Sequence, residues 1–333
     1  MSSKYAAVHA NPQGPGDARP TAIQILQDEN IGTILHGKTI LITGCSSGIG
    51  ITTAQALHTT GATLYLTARN LEKAKSALGD LVTQPNVHLL ELDLNSLASV
   101  RAAAKEFLSQ STQLNIFIAN AGVMATPEGR TEDGFETQFG TNHLSHFLLF
   151  NLLKSTLISS STPEFNSRAI FLTSCGHRMG QPDFSNLNLD GGAYNKWVAY
   201  GSSKTANLWT ANEIDRRYGS KGLHAWAVHP GGVISGLIQH IPREELEAAT
   251  QDAILIKIYK SPEQGASTTV LAAVSKELEG KGGKYLEECQ ISVPVAEGAG
   301  RYDSGYGAHA YDEEKEGRLW KESLKLVGLE DDL

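Results

Sequence analysis

The segment Thr43-Gly44-Cys45-Ser46-Ser47-Gly48-Ile49-Gly50 constrains the fold of this chain more than any other feature. It follows an apolar, strand-like run over residues 39–43 and opens a helix-like run over 48–60. Glycines permit backbone angles that a side chain forbids, and they let the main chain approach a pyrophosphate closely. The N-terminus of the following helix adds unpaired N–H groups and a positive dipole end.

The spacing Gly-x-x-x-Gly-x-Gly therefore predicts a nucleotide phosphate site between a strand and a helix. The alternative is a loop that needs glycine only for its turn. The candidate contacts to the nucleotide are Gly44, Ser46, Ser47, Gly48, Ile49 and Gly50.

Short apolar runs alternate with helical patterns along most of the chain. The strand candidates are 39–43, 62–67, 87–91, 114–119, 167–173, 223–228 and 284–286. The helix candidates are 48–60, 70–83, 95–110, 132–158, 197–219 and 262–278. The strands are apolar on both faces, as expected when helices cover a parallel sheet. This alternation predicts an α/β fold, a single Rossmann-type doubly wound domain with a mainly parallel sheet and helices on both faces.

The sequence divides into an N-terminal extension, residues 1–37, and a catalytic domain, residues 38–333, which ends in a helical tail. Within the extension, residues 21–28 resemble a short amphipathic helix that could dock on the body. Two connections, about 176–198 and 231–260, are long for an α/β fold. Such loops usually form lids or substrate pockets, and their apolar residues predict a lipophilic ligand.

Composition limits the partners of the chain. Lys and Arg number 28 against 36 Asp and Glu, a formal net charge of −8, which argues against binding to nucleic acid or an anionic membrane. The three cysteines, Cys45, Cys175 and Cys289, form no metal-type cluster and no even disulfide framework. We therefore expect no metal site and a reducing, cytoplasmic location. No run approaches the roughly 20 apolar residues of a membrane helix, so we expect no stable membrane insertion.

The ends of three successive strand candidates carry residues suited to a dinucleotide. The second ends in Ala68-Arg69, and an arginine there accommodates the 2′-phosphate of NADP where an acid would bind the ribose of NAD. A solvated surface arginine is the alternative. Asp93-Leu94 follows the third strand, where the carboxylate can accept from an adenine amino group or cap the next helix. Asn120-Ala121-Gly122 ends the fourth and either leaves room for a flat ligand or forms a plain turn.

Tyr200 and Lys204 lie one helical turn apart and so project from one helix face. A nearby ammonium favours phenolate over phenol and lowers a pKa that is ordinarily about 10. This predicts that Tyr200 donates a proton to a carbonyl, or accepts one from an alcohol. Ser174 ends the fifth strand, where its hydroxyl can bond a substrate oxygen or serve only the turn. Asn142 lies inside the 132–158 helix candidate, where it faces solvent, binds a water or interrupts the helix locally.

The order of these features resembles the short-chain dehydrogenase/reductase family over roughly residues 38–327. The family's glycine pattern is met by Thr43–Gly50 and its Asn-Ala-Gly by Asn120–Gly122, although the usual leading Asn is Ala119 here. The family's catalytic residues fall on Asn142, Ser174, Tyr200 and Lys204. The residues around Ser174 and Tyr200, and the tail from Ala310 to Gly328, look like the retinol-dehydrogenase and WW-domain-oxidoreductase branch.

The resemblance implies an oxidoreductase that uses NADP(H) and most simply reduces a carbonyl of a lipophilic small molecule or secondary metabolite, or catalyses the reverse reaction. It implies that Tyr200 transfers the proton, that Ser174 positions the oxygen and that Lys204 also holds the nicotinamide ribose. It further implies that Asn142 anchors a water linking Lys204 to solvent. The additional cofactor contacts that it implies after the sixth strand are Pro230, Gly231 and Val233.

Other readings of the same residues stay open. The fold also supports C=C reduction, epimerisation and dehydration, and a non-catalytic NADP(H)-binding regulator would keep the glycine loop. Many relatives assemble through their two long helices, here 132–158 and 197–219, so a homo-oligomer is compatible with the sequence.

Overall fold

A computed structural model of the protein describes residues 4–300 and 302–332. Eight strands in this part of the chain form one sheet. The strands are β1 (Thr39–Thr43), β2 (Thr63–Ala68), β3 (Val87–Glu91), β4 (Ile116–Ala119), β5 (Ser167–Leu172), β6 (Leu223–Val228), β7 (Lys284–Glu287) and β8 (Gln290–Ile291). Their order across the sheet is β3-β2-β1-β4-β5-β6-β7-β8. The pairs from β3 to β7 are parallel, and β8 is antiparallel to β7.

Helices lie on both faces of the sheet. They are α1 (Ala6–His9), α2 (Ala22–Asp28), α3 (Ile49–His58), α4 (Leu71–Leu78), α5 (Leu97–Gln110), α6 (Thr137–Phe139), α7 (Ser145–Ser160), α8 (Lys196–Tyr218), α9 (Arg243–Gln251), α10 (Ala253–Ile258), α11 (Pro262–Gly265), α12 (Ser267–Val274) and α13 (Glu313–Leu326). One buried cluster joins the sheet to α5, α7, α8 and α13. The other joins it to α2, α3, α4 and α12. The predicted doubly wound α/β fold is confirmed.

The strand predictions agree with the structure to within two residues at each end. The short strand β8 was not predicted. It follows a tight turn in which Glu288 and Cys289 both have positive φ angles, 52° and 58°. Such turns usually carry asparagine or glycine, so Glu-Cys gives no turn signal in the sequence.

Three helix predictions were too long. The 70–83 candidate ends as an α-helix at Leu78, because Gly79 has a φ of 56°, and continues only as a 3-10 turn to Thr83. The 262–278 candidate is divided into α11, α12 and a further 3-10 turn. In the 132–158 candidate the first residues are not helical, since Glu136 instead caps α6 by accepting from the N–H groups of Gln138 and Phe139. A π-turn, Gly140–Leu144, then separates α6 from α7.

The N-terminal segment docks on the body, as its amphipathic pattern suggested. Ile25 and Leu26 of α2 are buried in the same cluster as β1 and α12. Thr21 begins α2 by accepting from the Gln24 N–H. Among the described residues, no helix combines the length and the apolar character needed to cross a membrane.

Candidate active site

The glycine loop joins the end of β1 to the start of α3, and its glycines are required by its geometry. Gly44 and Gly48 have φ angles of 76° and 62°, a region that side chains rarely adopt. A Cβ on Gly44 would lie 2.7 Å from the Cβ of Ala121, and one on Gly50 would lie 2.4 Å from the Gly44 oxygen. The backbone therefore packs as a close cradle against the first turn of α3, which suits an anionic group.

The remaining loop candidates lie on the accessible side of this cradle. Ser47 is exposed, and Ser46 and Ile49 are half-buried. All three are near the N-terminus of α3, where the helix leaves N–H groups for a ligand. The residues of the loop thus fit the phosphate groups of a dinucleotide.

Thr43 links the glycine loop to the Asn120–Gly122 turn. Its hydroxyl oxygen accepts from the backbone N–H groups of Asn120 at 3.0 Å and Ala121 at 2.9 Å. The Asn120 amide donates to the Thr43 carbonyl at 2.7 Å. This turn is therefore more than a plain strand end, because it fixes the position of the loop beside it.

His146 extends this network to Asn142. Its Nε2 lies 2.9 Å from the Thr43 hydroxyl and its Nδ1 lies 2.9 Å from the Asn142 carbonyl. A carbonyl only accepts, so Nδ1 carries the proton and Nε2 accepts from Thr43. Burial lowers the pKa of His146 to about 4, which keeps it neutral. Nothing in its sequence context marks His146, since a buried histidine on an apolar helix resembles ordinary core.

Asn142 is fully buried and lies in the π-turn. It therefore interrupts the helix locally and does not face solvent. Its Oδ1 accepts from the Val123 N–H at 2.8 Å, and its Nδ2 donates to the Val123 carbonyl and to Ser203 Oγ, both at 2.9 Å. The side chain thereby ties the segment after Gly122 to α8.

Tyr200, Lys204 and Ser174 come together at the carboxyl edge of the sheet. Tyr200 is 4% exposed on the second turn of α8, and Lys204 lies one turn further along with its Nζ 5.6 Å from the Tyr200 ring centre. Ser174 and Tyr200 line one cavity, and Ser174 Oγ accepts from the Gly176 N–H at 3.0 Å. The Ser174 hydroxyl donates to Cys175 Sγ at 4.0 Å, a weak contact that a substrate oxygen can replace.

The pKa of Tyr200 differs from the sequence-based expectation. Burial raises it above the ordinary value, and the hydrogen bond from Ser174 only partly offsets this. The Lys204 ammonium lies over the Tyr200 ring and donates to the Leu172 carbonyl at 3.1 Å, and the effect of burial exceeds that of this nearby charge. Burial in turn lowers the pKa of Lys204 to about 8. At neutral pH the tyrosine is therefore in its acid form.

The other candidate cofactor residues differ in their surroundings. Arg69 is exposed at the end of β2 and has no hydrogen-bond or ion-pair partner within residues 4–300 and 302–332. Asp93 Oδ1 accepts from the Asn95 N–H at 3.0 Å, a turn contact just before α5, which begins at Leu97 and not at 95. Leu94 is buried, and its carbonyl accepts from Ser145.

The segment after β6 lies against the glycine loop. Gly231 has a φ of 92°, and the Pro230 carbonyl accepts from the Lys260 ammonium at 3.4 Å. A Cβ on Gly265 would lie 2.5 Å from Val233 and 2.9 Å from Ile49, so these two side chains meet over the same glycine. Val233 therefore lies near the first residue of α3, whereas Pro230 and Gly231 contact Lys260.

A cavity of about 450 Å³ adjoins Ser174 and Tyr200. The loop 176–198 contributes Met179 and Trp197 to it, as expected. The loop 231–260 contributes none of the described residues that line it. That segment forms α9 and α10, and its first residues lie against the glycine loop, where a Cβ on Gly236 would be 3.4 Å from Ser47 Oγ. Its place in the cavity lining is taken by residues that were not identified from the sequence, namely Val295, Ala296, Gly298, Ala299, Gly300 and Tyr302. Their frequent glycines and alanines are the one signal that could have marked them as a close-approach wall.

The chain is similar to known short-chain dehydrogenases. The family profile for short chain dehydrogenases matches residues 38–187. A short-chain dehydrogenase/reductase, prx1, from Penicillium roqueforti is 50% identical over 98% of this chain and 95% of its own length. Human retinol dehydrogenase 13 is 38% identical over 89% of this chain and 86% of its own length.

A solved structure shares the fold. A putative uncharacterized protein from Mycobacterium paratuberculosis has a TM-score of 0.67 and 32% identity, and the match covers 90% of this chain and 96% of that one. The Pseudomonas aeruginosa protein RhlG, solved as an NADP active-site complex, has a TM-score of 0.62 and 23% identity over 77% of this chain and 95% of that one.

Proposed function

The chain belongs to the short-chain dehydrogenase family, and from that premise we propose that it is an NADP(H)-dependent oxidoreductase that reduces a carbonyl of a lipophilic small molecule to an alcohol. The observation that carries the proposal is that Ser174 and Tyr200 line the same cavity of about 450 Å³. Cavities of this size hold small organic ligands. The proposal locates the enzyme in the cytoplasm.

A nicotinamide dinucleotide fits the cradle formed by Gly44, Gly48 and Gly50. Added Cβ atoms on Gly44 and Gly50 would collide with neighbouring atoms, and Gly48 has a φ of 62°. When bound, it supplies or accepts the hydride. An exposed, unpaired Arg69 at the end of β2 supports NADP(H) over NAD(H), because a guanidinium can pair with a 2′-phosphate in a bidentate manner. Asp93 retains one carboxylate oxygen for an adenine amino group while Oδ1 serves its own turn.

Proton transfer is assigned to Tyr200. Because burial raises the pKa of its phenol, the group is protonated at neutral pH and suited to act as an acid toward a developing alkoxide. Ser174 donates its hydroxyl proton to the same oxygen and so polarises the carbonyl. These two donors support the reductive direction over alcohol oxidation, which would require a phenolate.

Lys204 and Asn142 act around this pair. The Lys204 ammonium is held by the Leu172 carbonyl and remains near the Tyr200 ring, where its charge favours the phenolate left after proton donation. Asn142 holds the Gly122–Val123 segment against α8 through three side-chain hydrogen bonds. Asn142 therefore positions the Gly122–Val123 segment of the site.

The test is consumption of NADPH and of NADH with a panel of lipophilic aldehydes and ketones, with product identification. Wild type is compared with Tyr200→Phe and with Tyr218→Phe, a buried tyrosine at the far end of the same helix. We expect NADPH-preferring turnover that falls roughly 10²–10⁴-fold in Tyr200→Phe and is retained in Tyr218→Phe.

Three other outcomes contradict the proposal in different ways. Products reduced at C=C, epimerised or dehydrated would show a different reaction on the same fold. Tight NADPH binding with no reaction in any assay would favour a regulator. Failure to bind either nucleotide would remove the basis of the cofactor assignment.

A further inference from the structure

The segments 293–300 and 302–307, which we together call the flap, contribute part of the lining of the cavity that Ser174 and Tyr200 also line. Their ends are joined by two backbone hydrogen bonds, from Val295 N–H to the Tyr306 carbonyl at 2.9 Å and from Tyr306 N–H to the Val293 carbonyl at 3.0 Å. Between these ends, the flap residues that line the cavity are Val295, Ala296, Gly298, Ala299, Gly300 and Tyr302. Most are small, so the flap leaves space that a larger residue would fill.

The flap is held to the body by two buried side chains that accept from its backbone. Glu287 at the end of β7 is 3% exposed, and its Oε1 accepts from the Gly305 N–H at 2.5 Å. His177 is fully buried, and its Nε2 accepts from the Gly307 N–H at 2.9 Å. Each contact fixes one point at the base of the flap.

His177 also contacts the catalytic strand end. Its Nδ1 lies 2.7 Å from the Ser174 carbonyl oxygen. Because the Gly307 N–H can only donate and the Ser174 carbonyl can only accept, the ring is neutral and carries its proton on Nδ1. One imidazole therefore joins the backbone of Ser174 to the backbone of Gly307 at the end of the flap.

We propose that the flap is the substrate-selecting wall of this site, and that His177 is the positioning residue that sets its separation from Ser174. The inference rests on the proposed function. The ligand it selects is a carbonyl compound whose apolar body contacts the small residues of the flap while its oxygen is held by Ser174 and Tyr200.

The two bonds of His177 can be removed separately. In His177→Asn the amide Nδ2 replaces Nδ1 and still donates to Ser174, but nothing reaches Gly307. In His177→Gln the side-chain oxygen replaces Nε2 and still accepts from Gly307, but the donor to Ser174 is lost. His224→Asn is the matched control, because His224 is buried at the amino end of β6, on the opposite edge of the sheet.

For each variant we measure amide hydrogen exchange of the flap. We also measure the affinity for the carbonyl panel in protein preloaded with NADP+, together with KM and kcat. In His177→Asn we expect faster exchange in the flap, about tenfold weaker carbonyl binding and a matching rise in KM, with kcat changed less than about threefold, as for one lost hydrogen bond. In His177→Gln we expect slow flap exchange and a lower kcat. His224→Asn should resemble wild type in all of these.

A second pair of variants tests substrate selection and leaves the contacts of His177 and Glu287 with the flap unchanged. Ala299→Leu adds bulk on the cavity side of the flap, and Glu297→Leu adds it at an exposed flap residue that does not line the cavity. Ala299→Leu should weaken binding of the bulkiest carbonyls at least tenfold and leave the smallest unchanged, whereas Glu297→Leu should change neither.

Unchanged flap exchange in His177→Asn, or an unchanged order of carbonyl affinities in Ala299→Leu, would overturn the inference. So would the absence of any carbonyl binding to the NADP+-loaded wild type. Binding with the expected selectivity but no NADPH turnover would instead contradict the proposed function and leave the selecting wall supported.

Discussion

The guanidinium of Arg19 donates to the carbonyl of Tyr259 at 2.6 Å, and this bond joins the N-terminal segment to the segment 231–260. The same group donates to the Ile258 carbonyl at 2.7 Å and pairs with Asp17 at 2.8 Å. The next residue, Lys260, pairs through its own N–H with the Gly232 carbonyl beside the nucleotide cradle. The N-terminal segment therefore holds the end of the segment 231–260, whose first residues lie beside the glycine loop.

We expect Arg19→Met to lower stability and to weaken NADPH binding. Arg19 is 4% exposed, and breaking a buried charged pair costs about 3–5 kcal/mol. Thermal unfolding and fluorescence titration with NADPH provide the two measurements, and the Kd should rise severalfold. Arg243→Met is the control, because that side chain is 89% exposed in a surface ion pair worth about 0–1 kcal/mol. A lower Tm with an unchanged Kd would limit Arg19 to a structural role.

Gly50 and Gly317 should respond in opposite directions to substitution by alanine. At Gly50 the new Cβ would lie 2.4 Å from the Gly44 oxygen and 2.7 Å from Asn120 Nδ2, so the cradle must distort and NADPH binding should fall at least tenfold. Gly317 lies inside α13 with nothing within 4 Å of the added atom. There alanine should raise the free energy of unfolding by about 0.5–1 kcal/mol. Equal effects at the two sites would contradict this account.

The sequence was most informative where periodicity or a local motif carries the signal. The strands of the sheet, its parallel order and the positions of Gly44–Gly50 and Tyr200–Lys204 follow from such patterns. The flap could not be predicted from the sequence because it has no regular secondary structure. Its position depends on two hydrogen-bond acceptors, His177 and Glu287, and His177 is distant in sequence. The direction of the Tyr200 pKa shift was also wrong, since desolvation depends on burial that only the assembled fold provides.

Arg69→Ala should convert a preference for NADPH into near-equal use of both nucleotides. The exposed guanidinium has no partner in the described part of the chain. Its removal should therefore change the free energy of unfolding very little. Loss of a charge-assisted bond to the 2′-phosphate, about 1.5–3 kcal/mol, should lower kcat/KM for NADPH roughly 10–100-fold and leave that for NADH unchanged. Lys105→Ala removes one exposed positive charge on α5 and should alter neither. Equal losses for both nucleotides would refute the assignment of Arg69 to the 2′-phosphate.

The activity should also decline as the pH rises through about 8. Burial lowers the pKa of Lys204 to about 8, and the protonated form is the one that stabilises the Tyr200 phenolate, so kcat/KM for NADPH should fall up to tenfold per pH unit above that value. The phenol itself stays protonated there, because burial raises its pKa. Lys204→Arg should lower the rate but remove this alkaline decline, since a guanidinium does not titrate below pH 12.

The same shift in the pKa of Lys204 affects folding with a defined sign. Between pH 8 and about 10.5, the unfolded chain holds a proton at Lys204 that the folded chain has released. This group therefore makes the free energy of unfolding increase with pH across that range. Below pH 8 the full destabilisation by the buried ammonium remains. Denaturant unfolding of wild type and Lys204→Met from pH 7 to pH 10 measures the contribution of Lys204 to the free energy of unfolding. The variant should be more stable relative to wild type at pH 7 than at pH 10. A difference between the two proteins that is independent of pH would mean that Lys204 does not titrate in this range.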